Sequence, residues 1–162
     1  MRLTEPRISA SAVVAIGFLG AFAMSMQAGR MASNAEQDAL ASTSMDQRMD
    51  QLRTLSWPEI TGGSGITSTV WTARPSPMAG FTINQETITV SAFDLTGTQT
   101  LTATWVGTGS PSVSLSSGTA LSSAKALKVV ASISWAGRPS STVRTQTVVS
   151  IISKGGLSKS VR

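Results

Sequence analysis

The sequence predicts an α+β protein in which one long N-terminal helix packs against a small antiparallel β-sheet. The run from Ile8 to Gly29 contains no charged residue. Beyond it, apolar and small residues recur at helical spacing, and this pattern continues as far as Leu55. Beyond Ile60 the composition changes to Ser, Thr and Val in alternating patterns, which favour strands. One face of such a sheet needs a cover, and the second half of the helix can supply it.

The apolar part of the predicted helix is long enough to cross a membrane. Its centre, Ile8–Met26, has 19 residues, and about 20 apolar residues span a bilayer as a helix. Arg2 and Arg7 precede this segment, and basic residues hold their side of a membrane segment in the cytoplasm. We therefore expect the N-terminus inside the cell and the rest of the chain outside the cytoplasm.

Two other interpretations of this segment are open. An all-apolar helix can lie buried in the core of a soluble protein. A short basic start, an apolar run and the small-residue site at Ala21-Phe22-Ala23 also match a cleaved signal peptide. The helical pattern continues past the segment, and this continuity favours a retained anchor.

The second half of the predicted helix is amphipathic. One stripe recurs at three- and four-residue steps and comprises Met31, Ala35, Ser42, Met45, Met49 and Leu52. Pro6 suits the first turn of a helix, and Trp57-Pro58 ends the pattern. An unbroken helix over residues 6–55 would be about 75 Å long at 1.5 Å per residue.

The remaining chain predicts four to six antiparallel strands. Thr61–Gly65 is predicted to be a flexible turn, and the chain from Lys154 a loose tail. The predicted strands are Ile66–Ala73, a hairpin of Phe81–Asn84 and Thr87–Phe93, Leu101–Val106, a short piece at Val113–Leu115, Leu127–Trp135 and Val143–Ile152. The last two should pair antiparallel across a short turn.

This pattern divides the chain into three parts. We expect residues 1–30 to form the membrane-spanning helix, residues 31–58 the amphipathic half, and residues 59–162 the β-rich domain outside the cytoplasm. The helix should cover the sheet through apolar residues on both sides, and the predicted core contacts are Met45, Met49, Leu52 and Leu55 against Trp105, Ile133 and Trp135.

The composition argues against most catalytic designs. The 162 residues include no Cys, His or Tyr. A disulfide framework, a thiolate metal site and a cysteine nucleophile are therefore excluded, and the commonest general base is missing. Glu86 and Asp94 are the acids of the β-rich part. Ser123 and Lys125 could be read as a Ser-Lys dyad, but they are indistinguishable from ordinary loop residues. We expect no enzymatic activity, no cofactor and no bound metal.

The charge is unevenly distributed along the chain. Residues 1–60 carry five Arg against six acids, and residues 61–162 carry eight Lys and Arg against two acids. A basic domain can attract nucleic acid, but recognition of phosphates needs basic residues clustered on one face. The basic residues here are scattered along strands and turns without adjacent runs. We therefore expect no nucleic-acid partner.

Two regions of the chain share a pattern of residue types with a known family. One is Ala15–Gly20, followed by Gln27 and a polar helix that ends at Leu52–Pro58. The other is Leu127–Trp135 with the returning strand Val143–Ile152. In these regions, which cover about half of the chain, the sequence resembles type IV pilins and the pseudopilins of type II secretion, especially minor pilins of the PilV type. The family's processing site, a Gly before a short hydrophobic stretch and a Glu, does not occur in this sequence.

The resemblance implies a structural subunit, with other pilin or pseudopilin subunits and an inner-membrane assembly platform as partners. It assigns subunit assembly to Glu5, Ile16, Gly17, Phe18, Leu19 and Gly20. In that family the counterpart of Glu5 pairs with the N-terminus of a neighbouring subunit. The alternative is a secreted or membrane-anchored β-sandwich module for adhesion or binding, with residues 1–23 as a signal peptide.

Overall fold

The structure, a computed structural model, describes residues 10–72, 83–94, 97–137, 142–155 and 158–161, with side chains from residue 12 to residue 155 of these ranges. It confirms the predicted α+β fold, one long helix packed on an antiparallel sheet. The helical elements are α1 (Ala10–Thr54), α2 (Trp57–Gly62), a π-helical segment (Ile66–Val70) and a 3-10 turn (Leu121–Ser123). The strands are β1 (Ile83–Ala92), β2 (Thr100–Val106), β3 (Ser112–Leu115), β4 (Ala126–Ala136), β5 (Val143–Ser153) and β6 (Ser158–Val161).

Helix α1 is unbroken from Ala10 to Thr54, and its predicted first turn at residues 6–9 lies outside the described residues. Its buried side chains recur every three or four residues: Gln37, Ala41, Ser44, Met45, Arg48, Met49 and Leu52. Met31 and Ala35, which the periodicity placed on the same face, are exposed. The sheet covers α1 only from about its middle, so the stripe is longer than the surface it packs against.

The six strands lie in the order β3-β2-β1-β4-β5-β6, and every neighbouring pair is antiparallel. Strand β1 is central and pairs with β2 on one side and β4 on the other. Its register against β4 shifts between Ile83 and Gln85, which marks a β-bulge.

The alternation predicted for β4 is confirmed, because Leu127, Val129, Ala131, Ile133 and Trp135 are all buried. Strand β5 returns antiparallel to β4 as predicted, with Trp135 opposite Arg144. The short strand predicted at residues 113–115 is also present, as β3.

The strand predicted at Ile66–Ala73 is wrong, since Ile66–Val70 is π-helical. Ile66 and Val70 lie four residues apart and are both fully buried, a spacing that places them on one side of a helix. The flexible turn predicted before it is also wrong, because Thr61 and Gly62 complete α2. Gly63 then ends α2 in the left-handed conformation with φ of 76°. A Cβ atom there would lie 2.8 Å from a methyl carbon of Val113, so glycine also permits the close approach of β3.

The hairpin predicted around residues 84–86 is wrong, because β1 runs through them without a turn. The polar triplet that suggested a turn contains the bulge and the buried Glu86 instead. Phe81 and Thr82 of that predicted hairpin lie outside the described residues. The loose tail predicted from residue 154 is corrected as well, since β6 adds an edge strand next to β5.

The junction between α1 and α2 contains a short hydrogen-bonded cap. The hydroxyl and the backbone N–H of Ser56 both donate to the carboxylate of Glu59, at 2.6 and 2.8 Å. These contacts favour the ionised acid and lower the pKa of Glu59 below its ordinary value. Because the folded pKa lies below the unfolded one, the contact stabilises the fold above the unfolded pKa and is lost as the pH falls through the folded value.

Ser56→Ala should therefore raise the pKa of Glu59 toward its ordinary value, since the hydroxyl is the larger cause of the lowering. An NMR titration of the Glu59 side-chain carboxyl carbon measures this change. Thr54→Ala is the control, because the Thr54 hydroxyl donates to the carbonyl of Gln51 and not to Glu59. An unchanged Glu59 titration in Ser56→Ala would contradict the assignment.

Candidate functional site

The first half of α1 is apolar and uncovered. Every residue from 13 to 32 is exposed, and Phe18 and Met24 are 74% and 75% exposed. This half of α1 is long and apolar enough to cross a membrane, judged by length and composition, and it lies near the N-terminus. An exposed apolar surface of this size is typical of a site that associates with lipid or with another protein.

The structure places the predicted assembly residues together on this uncovered half. Their positions on α1 are consecutive: Ile16, Gly17, Phe18, Leu19 and Gly20. Nothing lies within 4 Å of a Cβ built at Gly17 or Gly20, so the fold itself does not require glycine at either position. Glu5, the remaining predicted residue, lies outside the described residues.

The apolar residues that were predicted to join the second half of α1 to the sheet lie in or against one buried core. Met45, Met49, Leu52, Ile133 and Trp135 all lie in the buried core. Leu55 and Trp105 are partly buried and pack against that core. The Trp105 ring also meets the Trp71 ring, with centroids 5.9 Å apart and planes tilted by 58°.

A buried ion pair, which the sequence reasoning missed, joins the same elements. Nε of Arg48 on α1 donates to Oε2 of Glu86 on β1 at 3.2 Å, and both side chains are only 4% exposed. The indole N–H of Trp71 donates to the same oxygen at 2.8 Å. Nη1 of Arg48 also donates to the backbone carbonyl of Val70 and to Oε1 of Gln51.

The sequence did carry a signal for this pair. Arg48 lies three residues after Met45 and four before Leu52, which places it inside the apolar stripe of α1. Glu86 shares the alternation of Ile88 and Val90, which places it on the core face of β1. A charged residue in each of two apolar faces indicates a buried pair.

Polar contacts extend the attachment toward the uncovered half of α1. Nη1 of Arg144 on β5 donates to the carboxylate of Asp38 at 2.9 Å and to the carbonyl of Asn34 at 3.4 Å. One turn further along α1, Nε2 of Gln146 donates to the hydroxyl of Ser42 at 3.3 Å. These contacts with β5 reach as far as Asn34, and the uncovered half of α1 leaves the domain just before it.

The two acids of the β-rich part have different hydrogen-bond partners. Glu86 is buried in the ion pair, and Oδ2 of Asp94 accepts a hydrogen bond from the backbone N–H of Lys125. Within the part of the chain that the structure describes, no group of three acidic side chains is placed to hold a metal ion.

Comparison with the models of known protein families, with curated proteins and with solved structures finds no match to this chain.

Arg48→Ala should lower the free energy of unfolding by about 3–5 kcal/mol, because it leaves the carboxylate of Glu86 buried without its charge partner. Urea unfolding of the full chain in detergent, followed by tryptophan fluorescence, measures this loss. The control is Arg53→Ala, which removes a surface pair with Asp50 worth about 0–1 kcal/mol. Equal losses in the two variants would show that the buried pair does not stabilise the fold.

Proposed function

We propose that this chain is a structural subunit of a type IV pilus or a type II secretion pseudopilus, in a minor role such as priming or tipping the filament. The observation that carries the proposal is the uncovered apolar half of α1, which continues without a break into the half that holds the sheet. The proposed role is structural and not catalytic.

An uncovered helix of this kind has two favourable environments. Before assembly it lies in the inner membrane as a single span, with the N-terminus in the cytoplasm and the β-rich domain outside it. During assembly it leaves the lipid and packs against the same segment of neighbouring subunits. Small residues such as Ala15, Gly17 and Gly20 let helix backbones approach closely, and this packing replaces the lost lipid contacts.

The attachment of the domain supports the same proposal. A filament subunit must transmit force between its helix and its outer domain, so the two need a firm attachment. Here the Arg48–Glu86 pair and the Arg144–Asp38 pair join α1 to two different strands. The domain is therefore attached to α1 at two separate points.

The first test is mass spectrometry of the N-terminal region of the native protein, taken separately from membranes and from sheared surface filaments. We expect the segment Ile8–Met26 to be retained and to occur in the filament fraction. If the segment is retained but the protein occurs only in membranes, the chain is an anchored β-domain and not a filament subunit. A chain that starts near Met24 would instead establish a secreted binding module.

The second test uses the absence of cysteine from the sequence. Ile16→Cys and Phe22→Cys lie six residues apart and therefore on different sides of α1. Under oxidation, a chain with both substitutions should link to two neighbours and give a ladder of multimers on a non-reducing gel. Ile16→Cys alone is the control and can give dimers at most. Dimers alone in both variants would contradict packing of one helix against several others.

A further inference from the structure

The face of the sheet that points away from α1 is lined with hydroxyl groups. In the middle of the sheet one row of hydroxyls crosses five strands in register: Ser112, Thr104, Thr87, Ser132 and Thr147. These residues alternate with the core residues of their strands, so their side chains are on the outer face. Of the outward side chains of β1 to β5 that the structure describes, Lys128 is the charged one.

A groove of about 290 Å³ opens at one end of this face. Its lining comes from three neighbouring strands and comprises Gln85, Thr87, Ser132, Ser134, Val143 and Thr145. The β-bulge between Ile83 and Gln85 lies at the same place and bends β1 beside the groove. The groove thus coincides with a local departure from regular pairing.

The chemistry of the lining determines which ligands fit. The lining offers four hydroxyls and the amide of Gln85, groups that can both donate and accept. Two such bonds are made within the groove, where Nε2 of Gln85 donates to the Thr87 hydroxyl at 3.1 Å and the Ser134 hydroxyl donates to the backbone carbonyl of Gln85 at 3.5 Å. None of the lining residues that the structure describes has a carboxylate to hold a cation or a basic side chain to hold an anion. A neutral ligand with many hydroxyls matches this pattern of donors and acceptors. The apolar surface of Val143, which is 59% exposed, can contact the C–H groups of such a ligand.

We propose that this groove binds one sugar unit of a neutral glycan. The lining side chains project from the outer face of the sheet, so they present hydroxyl groups rather than backbone groups to a ligand. Its volume is at the lower end of the range for small-molecule sites, which suits a single sugar unit. The proposal does not rest on the filament role, because the groove is on the face opposite α1.

The test is an NMR titration of the methyl-labelled full chain with maltohexaose, cellohexaose and chitohexaose. The micelles should have zwitterionic headgroups, because a sugar-based detergent would compete for the groove. We expect at least one of these neutral hexasaccharides to shift the methyl signals of Val143, which lines the groove. Val149 is on the same face of β5 but outside the groove, so its signals should not move.

Matched variants connect the binding to the groove hydroxyls. Thr87→Val with Ser132→Ala removes two of them while nearly keeping side-chain shape, and should weaken binding roughly tenfold. Thr102→Val removes a hydroxyl from the same face outside the groove and should leave binding within about twofold. Circular dichroism checks that each variant folds. The Val143 shift in the unmodified chain tests binding even if a variant fails to fold.

Three results would overturn the proposal. One is the absence of any Val143 shift with all three hexasaccharides. Another is equal weakening by the groove variant and by Thr102→Val. The third is equal binding of an acidic hyaluronan hexasaccharide, because a groove that selects neutral ligands by hydroxyl contacts would not accept both classes equally.

Discussion

The burial of Arg48 together with Glu86 is the constraint on which the arrangement of this protein depends. Either charge alone would be strongly unfavourable in the core, so the two side chains must meet. Arg48 belongs to α1 and Glu86 to the central strand, while Val70 and Trp71 add the connecting segment to the same network. The meeting of these groups sets both the rotation of α1 about its axis and its position along the sheet.

This placement explains why α1 has two halves with different surroundings. Once Arg48 is opposite Glu86, the sheet reaches along α1 only as far as the contacts of Arg144 with Asn34 and Asp38. Residues 13–32 therefore extend beyond the domain. The described part of the domain does not cover this apolar first half, which leaves its surface available to lipid or to other chains.

The sequence predicted the parts of the fold whose patterns are long. The helical spacing before Leu55 and the alternation of β4 each extend over many residues, so one misleading residue does not change the prediction. Two of the shorter patterns gave wrong predictions. Ile66 and Val70 are compatible with a strand face and with one side of a helix, and only the packing beneath the sheet decides between them. The charge of Glu86 suggested an exposed turn. Its partner in the core, Arg48, is 38 residues away in the chain, so no local pattern showed that Glu86 could be buried.

The alternation of strands also explains how one small sheet can hold α1 on one face and carry a different kind of surface on the other. Inward positions of β1 and β4 are constrained by the core and by the Arg48–Glu86 pair. Outward positions share the backbone but not those contacts, so their side chains can change without disturbing the attachment of α1. Threonine keeps the branched Cβ that favours strands while adding a hydroxyl. The outer face can therefore carry a polar, uncharged surface at little cost to the stability of the sheet that the helix requires.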